Sequence, residues 1–262
     1  MRCTYTPSAA ALIVFASLLV SAQALAETTA NDFRADATIP DVRRVFDQPQ
    51  LLKDERKFEL CKDDREHMKA VAGEAANIAE PDWRSLAAAA GRFGILEAFL
   101  DTQRVFEMNR AYLGRKDAFA VAIYSKTNRG KRKIYLFDLT TGKVLPVAIQ
   151  HGKGEFGNAG HYHSSVGCFL AGMNAQNFAF SLHGLEGGLN NLACERRLQV
   201  HISHSAAHPP SYGCLTIDRR DWDSYEAIAN AIAGGGLLCA FDEGRLPDRH
   251  SKAILSVVRK PQ

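Results

Sequence analysis

A cysteine sits in a short glycine-containing turn, Ser211-Tyr212-Gly213-Cys214, about a dozen residues after a β-like stretch ending Gln199-Val200-His201-Ile202. A thiol that a nearby base partly deprotonates is a strong nucleophile at neutral pH. Sulfur and imidazole at this separation suit covalent acyl transfer, with Cys214 as nucleophile and His201 as base. His204 and His208 lie nearer to Cys214 in sequence, so the choice of base between His201 and His204 stays open at this point. The spacings His201-x-x-His204 and His204-x-x-x-His208 would also suit a metal, but no carboxylate or thiolate completes the set apart from Cys214 itself. No metal or other cofactor is therefore expected.

The start of the chain sets the compartment. A basic Met1-Arg2, an apolar run from Ala9 to Val20 and the small residues ending Ala24-Leu25-Ala26 form the layout of a secretory signal peptide. Residues 1–26 are expected to be removed and the rest to work in the periplasm, with no stable membrane span. The 262 residues include 32 basic and 29 acidic side chains. That near balance, without a basic run interleaved with aromatics, argues against nucleic acid as a partner. Oligomeric state is not encoded in any visible pattern. Cys3 would leave with the signal, and Cys61, Cys168, Cys194, Cys214 and Cys239 remain. An odd count in an oxidising compartment leaves at least one thiol unpaired, and Cys214 is the choice. Pairing among the other four is not set by the sequence; Cys239, inside Leu237-Leu238-Cys239-Ala240-Phe241, reads as a packed, inert thiol.

Composition changes near residue 115. Residues 41–113 carry apolar side chains at helical spacing, such as Leu96, Phe99, Leu100, Val105 and Phe106, and Pro81-Asp82-Trp83 reads as a helix start. About three helices are expected there, packing on the β-rich remainder. Beyond Gly114 the runs Ala118–Ser125, Lys131–Leu139 and Val144–Ile149 predict a three-strand meander, with turns at Thr127-Asn128-Arg129-Gly130 and Thr140-Thr141-Gly142-Lys143. Phe178, Phe180 and Leu182 alternate with polar or small residues, as do Leu198, Val200 and Ile202. His183 and His201 then fall on the faces opposite those apolar sides, where a cleft could form. Asp221–Ala233 reads as a helix, broken by Gly234-Gly235-Gly236 before a final buried strand. The expected organisation is a signal peptide (1–26), a helical region (27–115), a β-rich catalytic domain (116–245) and a polar tail (246–262).

Five stretches follow in order: His151-Gly152-Lys153-Gly154, Ser164 to Gly172, Gly184-Leu185-Glu186-Gly187-Gly188-Leu189-Asn190-Asn191, Arg197 to His201, and Gly213-Cys214. Together they resemble the murein L,D-transpeptidase catalytic domain family (YkuD-like), over roughly half the chain. The resemblance implies an α+β chain: a β-rich L,D-transpeptidase-like domain preceded by a helical N-terminal segment. It also implies a Cys/His acyltransferase acting on peptidoglycan stem peptides. The stem would be held as a thioester with release of D-Ala, then passed to an amine or to water. By match, Cys214 is the nucleophile and His201 the base, and Gly213 gives room for the N–H groups that hold the oxyanion. His151 and Gly152 match the family's HG motif and would line the substrate cleft, with Ser211, Tyr212 and His183 nearby. Glu186 reads as a turn cap holding the Asn190-Asn191 loop.

The chain also departs from the pattern. Ile202 stands where the family usually has a glycine after the base, and the basic residue often found beside the cysteine turn is missing, with Arg219 or Arg220 as possible substitutes. Two further function classes compete with transfer. One is a hydrolase using the same site, as an L,D-carboxypeptidase or amidase, or an enzyme of another envelope polymer. The other is a non-catalytic wall-binding module.

Overall fold

Alternating small and large residues explain the central strand. In Ala118–Tyr124 (β1) the residues Ala118, Ala120, Ala122 and Tyr124 face one apolar cluster, while Phe119, Val121 and Ile123 are buried on the other side. Burial on both faces is what a strand between two layers requires. The further strands are β2 (Lys133–Asp138), β3 (Val144–Gln150), β4 (Gly167–Ala175), β5 (Ala179–Gly184), β6 (Gln199–Ile202), β7 (Leu215–Ile217) and β8 (Leu237–Asp242). The computed structural model describes residues 40–46, 55–72, 80–152, 163–175, 178–186, 189–203 and 211–243. The expected signal peptide, Lys153, Gly154, His204, His208 and the tail at 246–262 lie outside the described residues.

The strands close into a barrel in the order β1-β2-β3-β7-β6-β5-β4-β8. The expected meander is β1, β2 and β3, joined in antiparallel register from Ala118↔Asp138 and from Lys133↔Ala148. Asp138 shapes its second turn by accepting the backbone N–H groups of Thr140 and Thr141 at 2.9 and 3.0 Å. Closure depends on two parallel pairings, β1 with β8 and β6 with β7. Phe178, expected to face inward beside Phe180, instead precedes β5 and is exposed.

Helix α5 (Trp222–Ile232) sends Tyr225, Ile228, Ala229 and Ile232 into the interior cluster and touches both β1 and β6, which stand on opposite walls. The alanines on the inner side of β1 leave the space for it. Outside the barrel lie α1 (Arg43–Phe46), α2 (Glu55–Val71), α3 (Trp83–Arg92) and α4 (Leu96–Asn109). Helix α3 starts at Trp83, with the Asp82 carboxylate accepting Ser85 N–H at 3.1 Å, as its sequence pattern predicts. Trp83, Phe99 and Phe106 meet Phe119 of β1, and Phe99 also meets Phe137 of β2 with ring centroids 4.8 Å apart.

Of two disulfides, one ties a helix outside the barrel to the segment before β6 and the other ties two barrel strands. Cys61 of α2 is joined to Cys194, just before β6, and Cys168 of β4 to Cys239 of β8. The second corrects the reading of Cys239 as an inert thiol. Cys168 and Cys239 are direct partners in the β4–β8 register, so their side chains meet across the strands.

Candidate active site

The turn before β7 is built from its own polar groups. Ser211 Oγ accepts the Gly213 N–H at 3.0 Å and donates to the Cys214 carbonyl. Ser164 Oγ donates to the Gly213 carbonyl at 2.7 Å and accepts the Gly152 N–H at 2.8 Å. Gly152 and Ser211 form an isolated parallel bridge, which joins the end of β3 to the turn. Gly213 has φ +130°, and a Cβ there would stand 2.6 Å from the His163 carbonyl oxygen and 2.9 Å from Leu198 Cδ2. Only glycine fits that position without moving the turn.

Cys214 is the one cysteine among the described residues outside a disulfide. Its thiol donates to the Arg197 carbonyl, with sulfur and oxygen 3.5 Å apart. Burial pushes the thiol's pKa up, while the Gln199 N–H, the Arg196 guanidinium and its own backbone N–H oppose that rise. Tyr124, buried in the barrel, is kept protonated by its burial and by the neighbouring Cys214. The segment that supplies Arg196, Arg197 and Gln199 owes its shape to a helical turn ending in a Schellman arrangement. Leu198 N–H reaches the Ala193 carbonyl at 2.9 Å, and Arg197 N–H the Cys194 carbonyl at 2.7 Å. Leu198 and Ala193 both belong to the interior cluster, giving the apolar contact that accompanies this cap. Arg197 holds the left-handed position at φ 57°, where glycine is usual, and is the one described non-glycine residue to do so.

His201 lies on the neighbouring strand. Val200, beside it, enters the core, so alternation turns His201 to the opposite face. In the β6–β7 pairing His201 partners Thr216, two residues beyond Cys214. Strand spacing and rise then separate the Cα atoms of His201 and Cys214 by roughly 8 Å. His201 Nδ1 is 2.8 Å from the Ile202 carbonyl. Donation there by Nδ1–H puts the neutral ring's lone pair on Nε2, the nitrogen that can take a proton.

The remaining expected residues are placed differently from one another. Tyr212 is 71% exposed at the tip of the turn, whereas Gly152 is buried beneath it. His151 is 2% exposed, its ring nitrogens 2.8 and 3.1 Å from the Gly152 and Ser125 carbonyls and its ring 5.1 Å from that of Tyr124. Burial pushes its pKa down. It supports the end of β3 from within rather than facing an open cleft. His183 does turn away from the core strand face, as alternation predicts, but it is 0% exposed. Helix α2 covers it: His183 Nε2 is 2.7 Å from Asp64 Oδ2, and Ser181 Oγ also donates to that oxygen. Serine and aspartate share one ring nitrogen, and among the described residues Nδ1 has no hydrogen-bond partner, so the trio is not wired as a Ser-His-Asp relay. It clasps the helix to the barrel.

Glu186 and Asn190 also hold the frame. Glu186 Oε1 accepts Cys168 N–H at 2.7 Å, and Asn190 Oδ1 accepts Glu186 N–H at 2.9 Å, which fits the turn-cap reading. Arg220 is paired at the surface with Asp218 at 2.6 Å. The cation beside the sulfur is Arg196, which the sequence does not single out because it lies 18 residues before the cysteine rather than next to its turn. Tyr124, Gln199 and the Arg197 carbonyl are equally hidden, since ordinary strand and turn positions carry no chemical signature. Among the described residues no cluster of three metal-ligating side chains occurs, and no helix is long and apolar enough to cross a membrane.

No family model and no curated protein matches the sequence. Among solved structures the chain is weakly similar to Bd1075 of Bdellovibrio bacteriovorus, with TM-score 0.31 and 13% identity, covering 54% of this chain and 56% of that one. It therefore spans a little over half the length of the Bdellovibrio protein. It is also weakly similar to an L,D-transpeptidase from Xylanimonas cellulosilytica DSM 15894, with TM-score 0.26 and 15% identity, covering 63% of this chain and 97% of that one. Similarity at this level assigns no chemistry, and a function must be read from the residues themselves.

Proposed function

We propose that the protein is a periplasmic cysteine acyltransferase of the L,D-transpeptidase type that remodels peptidoglycan stem peptides. The observation that carries this reading is the state of Cys214: unpaired beside two disulfides, held in a glycine turn, with a histidine on the adjacent strand. The disulfides themselves support an oxidising compartment. His201 Nε2 takes the thiol proton, and the thiolate adds to the carbonyl joining the diaminopimelate L-centre to D-Ala. The Cys214 N–H is assigned to the developing oxyanion, because the Gly213 N–H is engaged by Ser211. The C–N bond breaks, His201 returns the proton to the departing D-Ala amine, and the stem remains as a thioester. An amine of a second stem then attacks the thioester, loses its proton to His201, and the thiol is restored. A positioned base contributes ~10²–10⁴-fold and one oxyanion donor about 10²–10³-fold.

Purified muropeptides incubated with the protein and analysed by mass spectrometry test this reading. New cross-linked dimers with loss of D-Ala, absent with a Cys214→Ala variant, are expected. Trimmed monomers alone assign water as the acceptor and make the protein a carboxypeptidase. No change in either sample removes peptidoglycan as the substrate.

A further inference from the structure

Half-buried arginines are costly to hold unless their donors have partners, and Arg196 has partners on the 163–165 segment. Its Nη2 donates to the His163 carbonyl at 2.7 Å and its Nη1 to Ser165 Oγ at 3.2 Å. That carbonyl is the atom against which Gly213 packs, and Ser164, between the two anchored residues, donates to the Gly213 carbonyl. The guanidinium therefore braces the 163–165 segment, and that segment braces the cysteine turn. The backbone of the next residue, Arg197, accepts the thiol. The Cys61–Cys194 disulfide fixes the base of the same segment to α2.

We propose that Arg196 is the positioning residue of this site: it locks the Gly213–Cys214 turn through His163 and Ser165 and sets a fixed positive charge beside the nucleophilic sulfur. It takes the place of the cation that the sequence lacks next to the turn. This rests on Cys214 being the nucleophile. Tyr124 from β1 also acts on the sulfur and stays protonated, while His201 lies on the neighbouring strand β6 and the backbone of His163 is beside the turn. Arg196 is thus the permanent charge in the set, and it favours the thiolate.

The test is the pH dependence of Cys214 alkylation by iodoacetamide in the full protein, comparing wild type with Arg196→Met, Arg196→Lys and Ser165→Ala. Removing the opposite charge that acts on the sulfur is expected to move the midpoint up by about one pH unit, so labelling below it slows about tenfold in Arg196→Met. Arg196→Lys, which keeps the charge without the two-pronged contact, is expected to recover part of the rate. Ser165→Ala is expected to shift the midpoint in the same direction by less. A wild-type profile in a folded Arg196→Met, or in both Arg196→Lys and Ser165→Ala where the methionine variant does not fold, overturns the proposal. The assay needs no peptidoglycan. A shifted profile without muropeptide turnover therefore strikes the substrate, and turnover with an unshifted profile strikes Arg196 alone.

Discussion

Arg197 occupies a backbone conformation that costs an L-residue ~1–2 kcal/mol and that glycine adopts freely. Its side chain is exposed, while its carbonyl serves the thiol. Arg197→Gly is therefore expected to stabilise the protein by about 0.5–1 kcal/mol, because relief of strain exceeds the added chain entropy of glycine. Denaturant melts would show it; a loss of stability would mean that the arginine side chain holds the cap. Gly213 is the opposite case. A Cβ there would sit within 2.9 Å of both the His163 carbonyl and Leu198, so Gly213→Ala is expected to lose about 1–3 kcal/mol and to slow Cys214 alkylation. Wild-type stability with wild-type labelling would contradict the packing argument. At this scale the sequence was informative wherever residue type alone limits the options: the odd cysteine count pointed to Cys214, and alternation turned His201 away from the core. Arg196 and Arg197 were not legible as site residues, because their roles come from a cap geometry and from a carbonyl.

One carboxylate of helix α2 gathers three contacts from the barrel. Asp64 accepts Met173 N–H at 2.6 Å and His183 Nε2 at 2.7 Å, together with Ser181 Oγ. Burial raises its pKa, but the bonds from His183, Ser181 and Met173 outweigh this and hold the carboxyl below its ordinary value. A lowered folded value stabilises the fold fully above the ordinary carboxylate range, and the contribution disappears as pH falls through the folded value. Asp64→Asn is expected to cost about 2 kcal/mol at neutral pH, with the gap to wild type narrowing below roughly pH 4. A gap that stays constant down to acid unfolding would show that the charge has no part in the clasp. The sequence could not reveal this contact, which joins residues 119 positions apart. Alternation put His183 on the right side of its strand, but no local pattern announces the helix that covers it. Strand β4 was also hidden, since Gly167 and Gly172 interrupt its β-forming pattern.

Across the whole molecule, the β-hairpin part of the barrel was readable and its closure was not. Local turns announce β1, β2 and β3, whereas the parallel pairs β1–β8 and β6–β7 share no tight turn, and β1–β8 joins the first and last strands of the chain. The disulfides secure other distant joins, α2 to the approach to β6 and β4 to β8, at sequence separations of 133 and 71 residues. Loss of Cys61–Cys194 in a double serine variant is expected to cost about 2–5 kcal/mol. That corresponds to a fall in Tm of roughly 5–15 °C for a domain of this size; an unchanged melt would show that α2 is held by Asp64 and packing alone. The Cys61–Cys194 disulfide and the Arg196 contacts brace the segment that meets Cys214. The most direct measurement is the intact mass of the protein after brief exposure to a tetrapeptide muropeptide and acid quenching, followed by peptide mapping. The expected result is an adduct equal to the stem lacking D-Ala, carried on Cys214 as a hydroxylamine-sensitive thioester and absent from Cys214→Ala. An unmodified protein beside consumed muropeptide, or an adduct that survives in Cys214→Ala, would contradict covalent catalysis by this cysteine.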